Sequence, residues 1–154
     1  MKKWQWAALA ILALGTGILA NWTMKKDFVT LDGEAYQWQD FNGQWVVVNY
    51  FARWCAPCLR EIPELNRFHR ENQDIPIFAI SFDPLSKEEL SELRDTYQIA
   101  FPILINIEAV LWPQAPKVLP HTIIINPQGQ VAIELKGEQS AASLKQLIDQ
   151  LQGS

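Results

Sequence analysis

The chain has 154 residues, and its 49% hydrophobic content is enough for one domain with a substantial core in addition to an N-terminal segment. Its formal net charge at neutral pH is −4, which excludes the basic surface typical of nucleic-acid-binding proteins. The chain has two cysteines, and in an oxidising compartment such a pair needs a partner to maintain its redox state.

The first 24 residues have the pattern of a membrane anchor. After a short basic start, residues 4–22 are almost all apolar and would span about 28 Å as a helix, close to the thickness of a bilayer core. Tryptophans flank this run, as in an interfacial belt, and the N-terminal lysines favour an N-terminus inside the cell. A cleaved signal peptide is the alternative, but Ile18-Leu19-Ala20 is a poor cleavage site because its first residue is large. We predict an anchor over 1–24 and a domain over 25–154, and both alternatives export the domain.

Beyond the anchor, the hydrophobic pattern predicts alternating strands and helices. Capping signals support two of the helices: Ser86 with Glu89 forms a capping box, and Pro57 suits a first helical turn. Pro63 lies inside a predicted helix and should kink it. The order predicts an α/β domain with a mixed sheet and helices on both faces. The predicted elements are a hairpin of strands 28–31 and 35–38, a buried strand 45–51, a helix 55–73, a strand 75–82, a helix 86–98, a strand 101–106, a helical turn 108–112, a proline-rich loop 113–120, a hairpin of strands 121–126 and 130–136, and a helix 140–151.

The two cysteines lie where the buried strand gives way to the first helix. A helix N-terminus stabilises a thiolate, so Cys55 should be the attacking thiol. Cys58, one turn later, can close a disulfide on it, which makes the pair a two-electron redox couple. Zinc is the alternative for this spacing, but His69 would lie about 16 Å along the helix from Cys58 and cannot share a metal with the pair. We therefore expect neither a metal nor a cofactor.

The motif Trp54-Cys55-Ala56-Pro57-Cys58 resembles the active site of the thioredoxin superfamily. The longer run 48–65 is similar to the membrane-anchored TlpA/ResA-like branch, which includes the ScsD-type proteins. The resemblance covers about residues 28–151 and is specific at the motif but loose elsewhere. It implies a thioredoxin fold with an N-terminal β-hairpin extension, in which a mixed central sheet is flanked by helices.

The resemblance also implies roles for residues outside the cysteine pair. Glu61 lies on the helix face of Cys58, and this branch has a glutamate there that moves a proton for the resolving cysteine. Thioredoxins proper use an aspartate on the preceding strand, where this chain has Asn49, which cannot titrate. Pro120 matches the cis-proline that faces the disulfide, and His121 after it could tune Cys55. The expected substrate groove consists of Trp54, Ala56, Pro57 and Leu119.

The resemblance implies a thiol–disulfide oxidoreductase anchored in the bacterial inner membrane, with its domain in the periplasm. We favour a reductase of periplasmic protein disulfides, with Cys58 as the resolving thiol and a membrane electron donor of the DsbD or CcdA type. The protein could instead act in the reverse direction, as a disulfide donor, because the residues between the cysteines do not settle the direction of electron transfer.

Other functions on this fold fit the residues less well. A copper-binding or copper-delivery protein of the Sco kind has a wider cysteine spacing, and here His121 would have to be its third ligand. A thiol peroxidase needs a threonine or serine shortly before its reactive cysteine, and the run 51–54 has neither. A purely structural disulfide would close a loop too short to add much stability.

Overall fold

The computed structural model describes residues 26–153, so the predicted anchor over 1–24 lies outside the described residues. Within the described part, none of the helices is both long and apolar enough to cross a bilayer. The elements in chain order are β1 (Phe28–Thr30), β2 (Ala35–Tyr36), a 3-10 helix (Trp38–Phe41), β3 (Val46–Phe51), α1 (Ala56–Glu71), β4 (Ile77–Ser81), α2 (Lys87–Tyr97), β5 (Ile103–Ile105), β6 (His121–Ile125), β7 (Val131–Lys136) and α3 (Ala141–Gln152).

Most of the predicted elements are confirmed, with shorter ends. Every residue of β3 is buried, as the apolar run predicts for a central strand. The Ser86 side chain caps α2, and Glu89 completes the capping box. Pro63 lies inside α1, and the kink expected there stays a prediction.

The described strands form one mixed sheet in the order β2-β1-β5-β4-β3-β6-β7. The central strands β3, β4 and β5 are parallel, whereas β1 is antiparallel to β5 and β6 is antiparallel to β3. The ends of the three parallel strands therefore share one edge of the sheet with the beginnings of β1 and β6. We call it the cysteine edge, because β3 leads there into Cys55. The terminal residues of these five strands at this edge are Phe28, Phe51, Ser81, Ile105 and His121.

Among the described residues, all three α-helices lie on one face of the sheet, and only the short 3-10 helix Trp38–Phe41 packs on the other face, so the expectation of helices on both faces is wrong for the α-helices. Leu65 of α1, Leu90 of α2 and Leu144 of α3 belong to one buried cluster, together with the sheet residues of a single face. The crossovers β3–α1–β4 and β4–α2–β5 run in the same direction along the sheet, and right-handed crossovers of that kind lie on the same face. An aromatic cluster that includes Trp38 and Trp112 covers the opposite face.

The helical turn predicted over 108–112 is also wrong, because this segment is irregular in the structure. The backbone N–H groups of Glu108 and Ala109 both donate to the carbonyl oxygen of Asp27 instead of to a helix. The carbonyl oxygen of Ala109 accepts a hydrogen bond from the indole of Trp38, and Trp112 is buried. Contacts with the distant hairpin therefore replace the local hydrogen bonds of a helical turn.

Candidate active site

The cysteines form a disulfide at the beginning of α1, with an S–S distance of 2.05 Å. Cys55 is the N-cap residue of the helix, and its Sγ accepts a hydrogen bond of 3.3 Å from the backbone N–H of Cys58. Only 4% of Cys55 is exposed, and Cys58 is fully buried. A thiolate on Cys55 would therefore be stabilised by the N–H group of Cys58 and by the positive end of the helix dipole.

Trp54 stands beside the disulfide with most of its surface in solvent. Its side chain is 64% exposed, and its Nε1 donates a hydrogen bond of 2.7 Å to Oδ1 of Asp83. The other carboxylate oxygen of Asp83 accepts from the backbone N–H of Arg53 at 2.9 Å. The ring of Trp54 meets that of Phe82 edge to face, with centroids 6.5 Å apart. One carboxylate after β4 thus holds both the indole and the backbone of the loop that leads to Cys55.

Replacing Asp83 with alanine should destabilise this loop. The substitution removes both acceptors, and we expect the free energy of unfolding to fall by about 1–2 kcal/mol. The near-ultraviolet circular dichroism of the protein, to which Trp54 contributes, should weaken in parallel. Asp95→Ala is the control because Asp95 makes only an exposed ion pair with Arg94, which should contribute little. Equal losses in the two variants would show that Asp83 does not hold the loop.

Glu61 is a buried carboxyl group, only 2% exposed, one turn beyond Cys58 on α1. Its Oε1 accepts a hydrogen bond of 2.8 Å from the Asn49 side chain, and its Oε2 accepts one of 2.9 Å from the backbone N–H of Gln139. Burial raises the pKa of Glu61 to about 7, although these two hydrogen bonds act in the opposite direction. Glu61 can therefore change its protonation state near neutral pH within a largely apolar site.

Asn49 connects Glu61 to the strand that begins after the proline-rich loop. Its amide nitrogen donates both to Glu61 and to the hydroxyl of Thr122, at 3.2 Å. Thr122 is two residues beyond Pro120, and the Leu119–Pro120 peptide bond is cis. Asn49, Glu61 and Thr122 thus form one buried polar group on the helix-covered face of the sheet.

The residues expected to form a substrate groove differ in their exposure. Trp54 and Ala56 are exposed, whereas Pro57 and Leu119 are half-buried. Pro120 is buried at the cysteine edge, where β6 begins. The expected roles of these residues in binding a partner stay predictions.

His121 lies on the other face of the sheet from Glu61. It pairs across strands with Tyr50, whose side chain belongs to the aromatic cluster, and cross-strand pairs share a face. Its Nε2 contacts Oε2 of Glu134 at 2.9 Å, whereas its buried Nδ1 has no hydrogen-bond partner in the described structure. Tuning of Cys55 by His121 stays a prediction. Residues 26–153 contain no group of three or more metal-ligating side chains arranged to hold an ion.

Three residues of the site were not predicted from the sequence: Asp83, Thr122 and Gln139. Asp83 and Thr122 each lie close to a strand end at the cysteine edge, so a search for polar residues after predicted strands would have found Asp83. Gln139 contributes a backbone N–H group, which no side-chain pattern could indicate.

Comparison with known proteins places the chain among thioredoxin-like proteins. Residues 19–133 match the model of the AhpC/TSA family. The thioredoxin-like protein YneN of Bacillus subtilis is 29% identical over 97% of this chain and 98% of its own length. The thiol-disulfide oxidoreductase ResA of Geobacillus thermodenitrificans is 28% identical over 93% of this chain and 90% of its own.

Two crystal structures have the same fold at low sequence identity. StoA from Bacillus subtilis superimposes with a TM-score of 0.64 at 17% identity, covering 79% of this chain and 93% of its own. The pneumococcal exposed lipoprotein thioredoxin Etrx1 superimposes with a TM-score of 0.69 at 18% identity, covering 80% of this chain and 96% of its own. These similarities support the thioredoxin-like α/β fold with a mixed sheet and three helices.

Proposed function

The chain belongs to the AhpC/TSA family, and we propose that this thioredoxin-like thiol–disulfide oxidoreductase reduces disulfides of periplasmic proteins. The observation that carries the proposal is the buried carboxyl group of Glu61 beside a disulfide at a helix N-terminus. Cys55 keeps a small exposed area at the beginning of the helix, whereas Cys58 is fully buried. The buried cysteine needs a base, and the raised pKa of Glu61 suits that task near neutral pH.

The cycle begins with the reduced pair. The Cys55 thiolate attacks one sulfur of the partner disulfide, and the other partner sulfur leaves as a thiolate that takes a proton from solvent. The protein and its partner are then joined by a mixed disulfide. Cys58 next gives its proton to the Glu61 carboxylate, and its thiolate attacks Sγ of Cys55.

This second attack expels the remaining partner sulfur, which is protonated in turn. The partner has then gained two electrons and two protons, and the Cys55–Cys58 disulfide has formed as the structure shows it. A membrane dithiol donor of the DsbD or CcdA type would return two electrons and two protons to the pair and would itself be oxidised to a disulfide. A disulfide donor would run the same steps in reverse.

The location is part of the same proposal. Residues 1–24 would remain as a single transmembrane anchor in the bacterial inner membrane, with the domain on the periplasmic side. The apolar run over 4–22 and the poor cleavage site at 18–20 support an anchor that is not removed. An anchored reductase would stay close to its membrane electron donor.

The reduction potential of the Cys55–Cys58 couple tests the direction. A reductase should have a potential near or below about −230 mV, towards that of thioredoxin. Equilibration of the protein with glutathione or dithiothreitol buffers, followed by alkylation of the free thiols, measures it. A value near about −120 mV would instead indicate a disulfide donor. Cys58→Ser is the control, since it cannot form the intramolecular disulfide.

A further inference from the structure

The anchor would join the domain at the cysteine edge. Asp27 directly precedes β1, which begins at this edge because it is antiparallel to β5. Four hydrogen bonds fix Asp27 to the domain. The N–H of Asp27 donates to the carbonyl oxygen of Tyr36. The carbonyl oxygen of Asp27 accepts from the N–H groups of Glu108 and Ala109, and its carboxylate accepts from the N–H of Trp38. The point where the N-terminal segment meets the domain is therefore part of the rigid structure.

The connection between the anchor and this point is short. From residue 24 to Asp27 there are three peptide steps, which span at most about 11 Å. Along the edge, β5 and β4 separate β1 from β3, so the disulfide end of β3 lies about 14 Å from β1. A tether this short holds the edge that carries the disulfide close to the bilayer.

The same edge carries most of the exposed apolar side chains. Six large hydrophobic residues are exposed among residues 26–153, and five of them lie in loops that leave or enter the sheet at the cysteine edge. The sixth, Tyr97, ends α2, which leads to the beginning of β5 at the opposite edge. The five residues of this apolar rim are Trp54, Phe82, Val110, Leu111 and Val118.

Part of the apolar rim lies beside the point where the anchor would enter. The hydrogen bond from Ala109 to Asp27 places Val110 and Leu111 directly beside that point. Exposed basic residues also lie here, since Lys26 precedes β1 and Lys117 belongs to the loop before β6. Acidic side chains lie at the same edge, since Asp83 follows β4 and the exposed Glu108 precedes Ala109, so the lysines do not make this edge basic. Contact with lipid would therefore depend on the exposed aromatic and aliphatic side chains.

We propose that the cysteine edge rests on the lipid bilayer that holds the anchor, with the apolar rim in the lipid interface. This inference deepens the proposed function, because it rests on the anchor being retained. It means that the Cys55–Cys58 pair works at the membrane surface and meets partner cysteines at that depth. The bilayer is favoured over a soluble partner because the short tether and the exposed apolar residues beside it both direct the edge towards the bilayer.

Photocrosslinking of the full chain in lipid vesicles tests the orientation. Benzoylphenylalanine replaces Val118 in one variant and Tyr97 in the other, two exposed residues at opposite edges of the domain. Each variant is reconstituted in vesicles of phosphatidylethanolamine and phosphatidylglycerol, and its lipid adducts are counted by mass spectrometry. We expect at least about fivefold more lipid adduct at position 118 than at position 97, because interfacial contact is confined to one edge. Equal adducts, or more at position 97, would overturn the proposal.

Two further measurements separate this proposal from the proposed function. The same variants are assayed in detergent for reduction of a small soluble disulfide. If both variants reduce the soluble disulfide and form equal amounts of lipid adduct, the proposed orientation is wrong but the oxidoreductase function stands. If neither variant reduces the disulfide, the proposed function fails, whatever the amounts of adduct. The mass of the chain recovered from bacterial membranes is the second measurement. Loss of residues 1–24 would overturn the orientation, because no tether would remain.

Discussion

Replacing Cys58 with serine is expected to trap the protein in a mixed disulfide with its partner. Cys55 can still attack, but serine cannot displace the partner sulfur, so turnover should fall by about a thousandfold or more. Non-reducing gels of membranes that contain the variant should show covalent adducts that a reductant releases. Cys55→Ser is the matched control and should form none, because it lacks the attacking thiol.

The burial of the two sulfur atoms is the reason for this asymmetry. Cys58 is fully buried in the first turn of α1, whereas Cys55 keeps a small exposed area at the N-cap position. A partner sulfur can therefore approach only Cys55 without opening the helix. Adducts formed by Cys55→Ser and not by Cys58→Ser would reverse the assigned roles. Adducts from neither variant would count against exchange with protein partners.

The parts of the fold that local sequence determines could be predicted. The continuous apolar run of β3 indicated a central strand, and the capping box of Ser86 and Glu89 marked the beginning of α2. The turn around Gly129 separates the two strands of the last hairpin, and glycine suits it because φ there is +74°. Each of these signals operates between residues that are close in the chain.

The parts that depend on distant contacts could not be predicted. The segment 108–112 is rich enough in helix-compatible residues to suggest a helical turn, but the N–H groups of Glu108 and Ala109 bond to Asp27, about 80 residues earlier in the chain. The placement of all three α-helices on one face depends on the order of strands in the sheet, which hydrophobic periodicity does not reveal. The hydrophobic pattern of the sequence therefore indicated the individual strands and helices but not how they are arranged around the sheet.

The same division holds for the candidate site. The spacing of Cys55, Cys58 and Glu61 along one helix made their proximity predictable. The group that orients Glu61 was not predictable, because Asn49 and Gln139 come from elements far apart in the chain. The structure nevertheless explains why asparagine at position 49, where thioredoxins have an aspartate, is compatible with the site. Asn49 cannot titrate, but it donates a hydrogen bond to the carboxyl group of Glu61, which can.

Replacing Glu61 with glutamine should slow the second half of the reaction. Glutamine cannot accept the proton of Cys58, and loss of a general base typically costs about a hundredfold or more. The pKa of Glu61 is raised to about 7, so its carboxylate form predominates above that pH and is lost below it. Resolution of the mixed disulfide by the unaltered protein should therefore slow as the pH falls through about 7. In Glu61→Gln this inflection should disappear, which stopped-flow measurements of partner release would detect.

Two controls distinguish proton transfer by Glu61 from a structural role. Alkylation of reduced Cys55 by iodoacetamide needs no base at position 61, so its rate should be nearly the same in Glu61→Gln and in the unaltered protein. Glu138→Gln is the matched variant, because Glu138 is an exposed neighbour whose negative charge helps to raise the pKa of Glu61. Removing that charge should move the inflection to a lower pH without abolishing it. An inflection that persists in Glu61→Gln would assign the titration to another group, whereas a parallel loss of alkylation rate would indicate that the substitution distorts the beginning of α1.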